Sequence, residues 1–124
     1  MSGHTPVRTA LVIEDDEGLR DTMEALLGLE GWAVVLARDG VQALEMLERL
    51  DPTVILLDLM MPRMNGYELA AQMRQRHLHP DTPIIVLTAD IRASQRADDI
   101  GAKGFLIKPF DLPELLAEIQ RVCV

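Results

Sequence analysis

Five polar side chains stand just past four short apolar runs of this sequence, and together they are the types that handle phosphate. Asp15 and Asp16 come after Thr9-Ala-Leu-Val-Ile13, and Asp58 follows Val54-Ile-Leu-Leu57. Thr88 follows Ile84-Ile-Val-Leu87, and Lys108 follows Phe105-Leu-Ile107. Carboxylates gathered in one place repel, and one of them holds a proton unless a cation is present. Magnesium suits such a place, because it takes oxygen ligands and binds one or two carboxylates together with a phosphate. An ammonium and a hydroxyl beside it match the equatorial oxygens of a phosphoryl group. Asp58 is then the nucleophile, since carboxylates form aspartyl phosphates. Each residue alone has an ordinary use: Asp16 as a helix N-cap, Thr88 as a β-former, Lys108 as a solvated charge. Their coincidence at one sheet edge favours a site.

That edge follows from the elements that carry these residues. The four runs, with Trp32-Ala-Val-Val-Leu-Ala37, read as five strands, and the third and fourth are apolar at every position, as strands buried on both faces are. Between them, Leu19, Met23, Leu26 and Leu27 mark one helix face, and Ala43, Leu44, Leu47 and Leu50 a second. A third helix is expected from Tyr67 to Gln75 and a fourth, thinly apolar, from about Arg92 to Ile100 on Ala93, Ala97 and Ile100. Leu115, Leu116, Ile119 and Val122 stripe the fifth, which opens on Asp111 and Glu114 as a capping box. Alternation of this kind predicts an α/β domain with a five-stranded parallel sheet, doubly wound in flavodoxin-like order 2-1-3-4-5, with five helices. Ligands in such sheets bind beyond the carboxyl ends of the strands, where strand order reverses. Here that point lies between strands one and three.

Composition narrows the partners. The net charge of −8 argues against nucleic-acid binding by this domain. No apolar run is long enough to span a bilayer, and Met1 to Val7 reads as a short tail rather than a secretion signal. The one cysteine, Cys123, excludes an internal disulfide and fits a reducing compartment. The loop methionines Met60, Met61 and Met64 read as packing side chains rather than metal-binding thioethers, and His77 and His79 as loop residues rather than a metal site.

Four stretches in this order and spacing resemble the receiver domain of two-component response regulators over about Arg8 to Arg121. They are Leu11-Val-Ile-Glu-Asp-Asp16, Val54-Ile-Leu-Leu-Asp-Leu-Met-Met-Pro-Arg-Met-Asn-Gly66, Val86-Leu-Thr-Ala89 and Gly101-Ala-Lys-Gly-Phe-Leu-Ile-Lys-Pro-Phe110. The resemblance implies a tail over 1–7 and a receiver domain over 8–124. It implies that Asp58 accepts a phosphoryl group from a phosphohistidine on a sensor histidine kinase or histidine phosphotransfer protein. The implied cofactor is Mg²⁺, or Mn²⁺ in its place, held directly by Asp16, Asp58 and the backbone carbonyl of Met60, and by Asp15 through water. Glu14 falls just before this pair, at a position expected to be acidic without being a ligand. Thr88, Ala89 and Lys108 would contact the phosphoryl oxygens, and the Lys108-Pro109 bond would be cis. Thr88 and Phe105 stand at switch positions, Phe105 lacking the hydroxyl of the Tyr often found there, and Met60 and Asp90 at positions that tune phosphoryl lifetime. The implied protein is a cytoplasmic switch, not an enzyme beyond assisting its own phosphorylation and dephosphorylation. It would signal through the face of helix four, strand five and helix five, to a downstream partner or a second copy.

Other readings make different demands. A flavin-binding electron carrier of this strand order needs a Ser/Thr/Gly-rich phosphate loop after strand one and aromatics around the ring. The chain has Glu14-Asp15-Asp16 there, and its aromatics are Trp32, Tyr67, Phe105 and Phe110 alone. An aspartyl-phosphate hydrolase needs alternating acids after strand one and a substrate cap. A degenerate receiver acting only as an interaction module would keep the fold and lose the polar set, which is intact here.

Overall fold

The computed structural model describes residues 8–94 and 97–123, with backbone alone at 93, 94 and 98. The expected tail over 1–7 and the side chain of Ala93 lie outside the described residues. Five parallel strands, β1 (Thr9–Ile13), β2 (Ala33–Ala37), β3 (Val54–Asp58), β4 (Ile84–Thr88) and β5 (Gly104–Ile107), form one sheet in the order β2-β1-β3-β4-β5. The crossovers carry α1 (Glu17–Leu29), α2 (Gly40–Leu47), α3 (Gly66–Gln75) and α4 (Ile91–Ser94), and α5 (Leu112–Val122) follows β5. The expected order is the observed one.

The strands sort their side chains by parity, since successive residues of a strand point to opposite faces. Leu11, Ile13, Ile55, Leu57 and Val86 pack with Leu44, Leu47, Leu69 and Met73 of α2 and α3. Ala10, Val12, Leu56, Ile85, Leu87 and Leu106 pack with Met23 and Leu27 of α1 and Leu115 and Ile119 of α5. Burying each large aliphatic side chain stabilises the fold by roughly 1.5–3 kcal/mol before chain entropy is counted. Two core layers of this kind fix the sheet from both sides, so its register is not free to slip.

Helix ends are set locally. Asn65 and Asp111 open α3 and α5 with complete capping boxes to Glu68 and Glu114. The fourth crossover departs from expectation. In place of one helix from about Arg92 to Ile100 it carries the four-residue α4 and a separate 3-10 turn, Ala97–Ile100. Among the described side chains Ala97 and Ile100 are buried, and Ile91 and Arg92 are exposed.

Candidate functional site

Register decides which acids meet. Ile13 pairs with Leu57, so one step further along both strands sets Glu14 beside Asp58. Adjacent parallel strands lie about 4.8 Å apart, which is carboxylate-to-carboxylate range. Glu14, Asp15 and Asp58 each place an oxygen within 4.8 Å of the others. Glu14 and Asp58 are buried and Asp15 is exposed, so the cluster opens to solvent on the Asp15 side.

The acids that cluster differ by one residue from those expected to hold the metal. Asp16 is the N-cap of α1, its Oδ1 accepting from the Leu19 backbone N–H at 3.2 Å. It stands outside the acid cluster, and Glu14, expected only to precede the acid pair, stands inside. The physical reason is that an acid three residues past the strand has already turned into the helix entry. The pattern Asp16-x-x-Leu19, an N-cap just ahead of an apolar helix stripe, was the available signal.

Lys108 answers the acids from β5. Its ammonium hydrogen-bonds Glu14 Oε1 and lies 3.6 Å from Asp58 Oδ2. Burial opposes the charge on Lys108, but the Glu14 hydrogen bond and the field of Asp58 hold its pKa above the ordinary value. The Met60 backbone N–H donates to Asp58 Oδ1 at 3.1 Å, and Arg20 donates to the Glu14 carbonyl at 2.7 Å. Thr88, also buried, accepts at Oγ1 from the Asp90 backbone N–H at 3.1 Å, and its own carbonyl accepts from the Lys108 backbone N–H at 2.7 Å. The neighbouring Ala89 is exposed, and the Lys108-Pro109 bond is cis. Phe105 is 45% exposed, with its N–H donated to Glu118 Oε2 on α5. Asp58, Asp15, Thr88 and Lys108 are thus brought to one edge, while Phe105 lies two residues earlier on its strand, level with Val86.

The electrostatics are those of a site short of positive charge. Burial, and then the neighbouring Glu14 carboxyl, push Asp58 up to about 8, with Asp15 adding to the shift. Burial also works against the charge on Asp15, but hydrogen bonds with Asp58 and Glu14 outweigh it and hold Asp15 below its ordinary value. The cluster therefore keeps a proton on Asp58 where a divalent cation would serve instead. All its donors are oxygens, the preference of magnesium.

A family model for the response regulator receiver domain matches residues 10–120. The chain belongs to the response regulator receiver family. Receiver domains are phosphoacceptor signalling domains of two-component systems rather than enzymes in the ordinary sense. The chain is 45% identical over 112 residues to the response regulator MprA of Mycobacterium leprae, covering 89% of this chain and 48% of that protein. It spans about half the length of the curated relatives it matches. Among solved structures it is similar to the chemotaxis protein CheY4 of Vibrio cholerae, at TM-score 0.88 and 32% identity, over 94% of this chain and 99% of that one. It is also similar to the receiver domain of a sensor histidine kinase from Pseudomonas aeruginosa, at TM-score 0.87 and 31% identity, over 95% and 98% of the two chains. That structure holds a magnesium ion coordinated in its active site cleft. No helix among the described residues is long and apolar enough to cross a membrane.

Two expectations follow from the geometry of this receiver. Between the ordinary carboxylate pKa of 3.8 and about 8, the folded metal-free protein holds a proton on Asp58 that the unfolded chain releases. That stabilisation is fully present below the unfolded pKa and is lost as pH rises through the folded one. Metal-free melting temperature should therefore fall between about pH 4 and pH 8, and Asp58→Asn should flatten that slope in thermal scans. Asp16→Ala should lower the melting temperature by the loss of a cap, about 1 kcal/mol, and leave Mg²⁺ affinity measured by calorimetry unchanged. Asp15→Asn should do the reverse, weakening Mg²⁺ with little loss of metal-free stability.

Proposed function

We propose that this receiver domain accepts a phosphoryl group on Asp58 from a phosphohistidine of a sensor kinase or phosphotransfer protein, with Mg²⁺ bound. The observation that supports it best is the buried carboxylate of Asp58, faced by Glu14, Asp15 and the Lys108 ammonium at the switch point of the sheet. Asp15 and Asp58, with the Met60 carbonyl, would hold the cation on the solvent side, and Glu14, bonded to Lys108, would stand behind them. When bound, the cation neutralises charge on the phosphoryl oxygens in transfer.

In the transfer step a carboxylate oxygen of Asp58 forms a bond to phosphorus as the donor's nitrogen–phosphorus bond breaks. The electron pair of that bond returns to the donor imidazole. Asp58 must first release its proton to the solvent on the Asp15 side, so cation binding and readiness for attack are linked. Lys108, 3.6 Å from Asp58 Oδ2, would balance one phosphoryl oxygen, and Thr88 would turn its hydroxyl from Asp90 toward another.

Incubation with a small phosphodonor and Mg²⁺ should add one phosphoryl group, labile to acid and base, by intact mass. Asp58→Asn or chelation of the metal should abolish it. An undiminished adduct on Asp58→Asn would place the acceptor elsewhere and end this reading.

The signal is proposed to leave through Thr88 and Phe105. β4 and β5 are neighbours, with Thr88 level with Ile107. A Thr88 hydroxyl drawn to the phosphoryl group vacates space that Phe105, exposed in this structure, can fill. Burying that ring is worth about 1–2 kcal/mol, enough to bias a two-state element roughly tenfold. The α4, β5 and α5 surface then becomes the face for a partner or a second copy, in a cytoplasmic protein. Thr88→Ala should keep the Asp58 adduct and lose most of the phosphorylation-dependent change in amide exchange across residues 91–101. An equal change in wild type and variant would refute this route and leave the acceptor role standing.

A further inference from the structure

Met60 carries its side chain 75% exposed, and its N–H is bonded to Asp58 Oδ1. It begins a loop that closes on itself, with the Gly66 N–H donating to the Leu59 carbonyl at 3.2 Å. Gly66 makes this neck tight: a Cβ there would stand 2.8 Å from the Asp58 carbonyl oxygen and 3.0 Å from Leu59 Cα. The neck alone does not fix how the loop between leans. The tip is fixed from elsewhere, by the start of α2.

Asp39 is a buried carboxylate outside the acid cluster. Its Oδ1 caps α2, accepting from the Gln42 N–H at 2.8 Å, and its Oδ2 accepts from Arg63 Nη1 at 3.3 Å, with Arg38 Nε at 4.0 Å. Arg63 sits at the loop tip at φ 70, a left-handed conformation uncommon for a non-glycine residue. The next residue of each segment repeats the contact, for the Gly40 N–H donates to the Met64 carbonyl at 3.2 Å. A Cβ on Gly40 would lie 2.6 Å from that carbonyl oxygen and 2.8 Å from Met64 Cβ and Cγ, so the two backbones touch as closely as only glycine permits. Two successive residues of one segment thus grip two successive residues of the other.

We infer that Asp39 and Gly40 are positioning residues for the metal site, holding the loop through Arg63 and Met64 so that Met60 presents its backbone at a fixed place beside Asp58. The inference rests on the magnesium reading proposed above. The left-handed Arg63 is the tell-tale, because strained backbone persists where surrounding contacts over-determine it.

The test compares Mg²⁺ affinity by calorimetry with amide exchange at Met60 in the metal-free protein. Asp39→Asn keeps an N-cap of equal quality but turns an amide toward Arg63. Arg63→Asn keeps tolerance of the left-handed backbone but loses the reach to Asp39. Each should weaken Mg²⁺ roughly tenfold, the scale of groups that orient metal ligands from behind, and speed Met60 exchange without metal. Arg63→Lys should fall between wild type and Arg63→Asn, and the Asp39→Asn/Arg63→Asn double variant should be no worse than either single one. Gly40→Ala should act the same way; if it fails to fold, the other variants still decide. Unchanged Mg²⁺ affinity in Asp39→Asn and Arg63→Asn would overturn the inference while a metal-binding wild type keeps the site reading. A wild type that binds no Mg²⁺ would overturn both.

Discussion

One ammonium stands among three carboxylates, and the rest of the site follows from that imbalance. Lys108 bonds Glu14 and faces Asp58 across 3.6 Å, while Asp15 adds a third acid at the open side. With all four ionised the cluster would carry a net charge of −2, from three negative groups and one positive. Buried like charges close together cannot all stay ionised, so something positive must join. Without metal it is a proton on Asp58. Under the proposed function this is the carboxylate that would attack phosphorus, so cation binding and readiness for attack are linked. Removing Lys108 would not relieve the crowding but would leave Glu14, with no exposed surface, as an uncompensated buried charge.

The sheet imposes that crowding and the core makes the sheet rigid enough to sustain it. Ile13 opposite Leu57, and Asp58 opposite Leu87, are pairs whose side chains are fully buried or nearly so. A one-residue slip would carry every such side chain to the wrong face, at a cost far above what separation of the acids returns. Electrostatic strain at the strand ends is thus carried by apolar packing behind them.

How much of this was legible in the sequence depends on the range of the interaction. Strand order and the edge that bears the site are written in apolar runs and the polar residue that ends each, so Asp58, Thr88 and Lys108 could be read directly. The acids after β1 could not be placed by counting, because Glu14, Asp15 and Asp16 are consecutive and only pairing with β3 says which is level with Asp58. Asp16 looked like a ligand and is a cap. The fourth crossover differs in another way: Ala97 and Ile100 give a helical spacing and are buried, but they lie in a 3-10 turn, which spacing alone does not distinguish from an α-helix. The contact of Asp39 with Arg63 spans 24 residues, and nothing local announces it.

The two loops that flank Asp58 differ in a way that bears on direction. The β3–α3 loop is closed at its neck by Gly66 and gripped at its tip by Asp39 and Gly40, and Met61 and Met64 pack onto the core behind it. The β4 side has less behind it. Thr88 turns to Asp90, Ile91 is 66% exposed, and α4 is described over Ile91–Ser94. A group added to Asp58 can repay only such rearrangements as are cheap, and regions with few buried apolar contacts open at the lowest free energy. Under the proposed function the gripped loop would be the wall against which a phosphoryl group is registered, and the crossover after β4 the wall that answers it. Under the proposed function, unequal packing around one carboxylate would favour response on the β4 side, where the route through Thr88 and Phe105 begins.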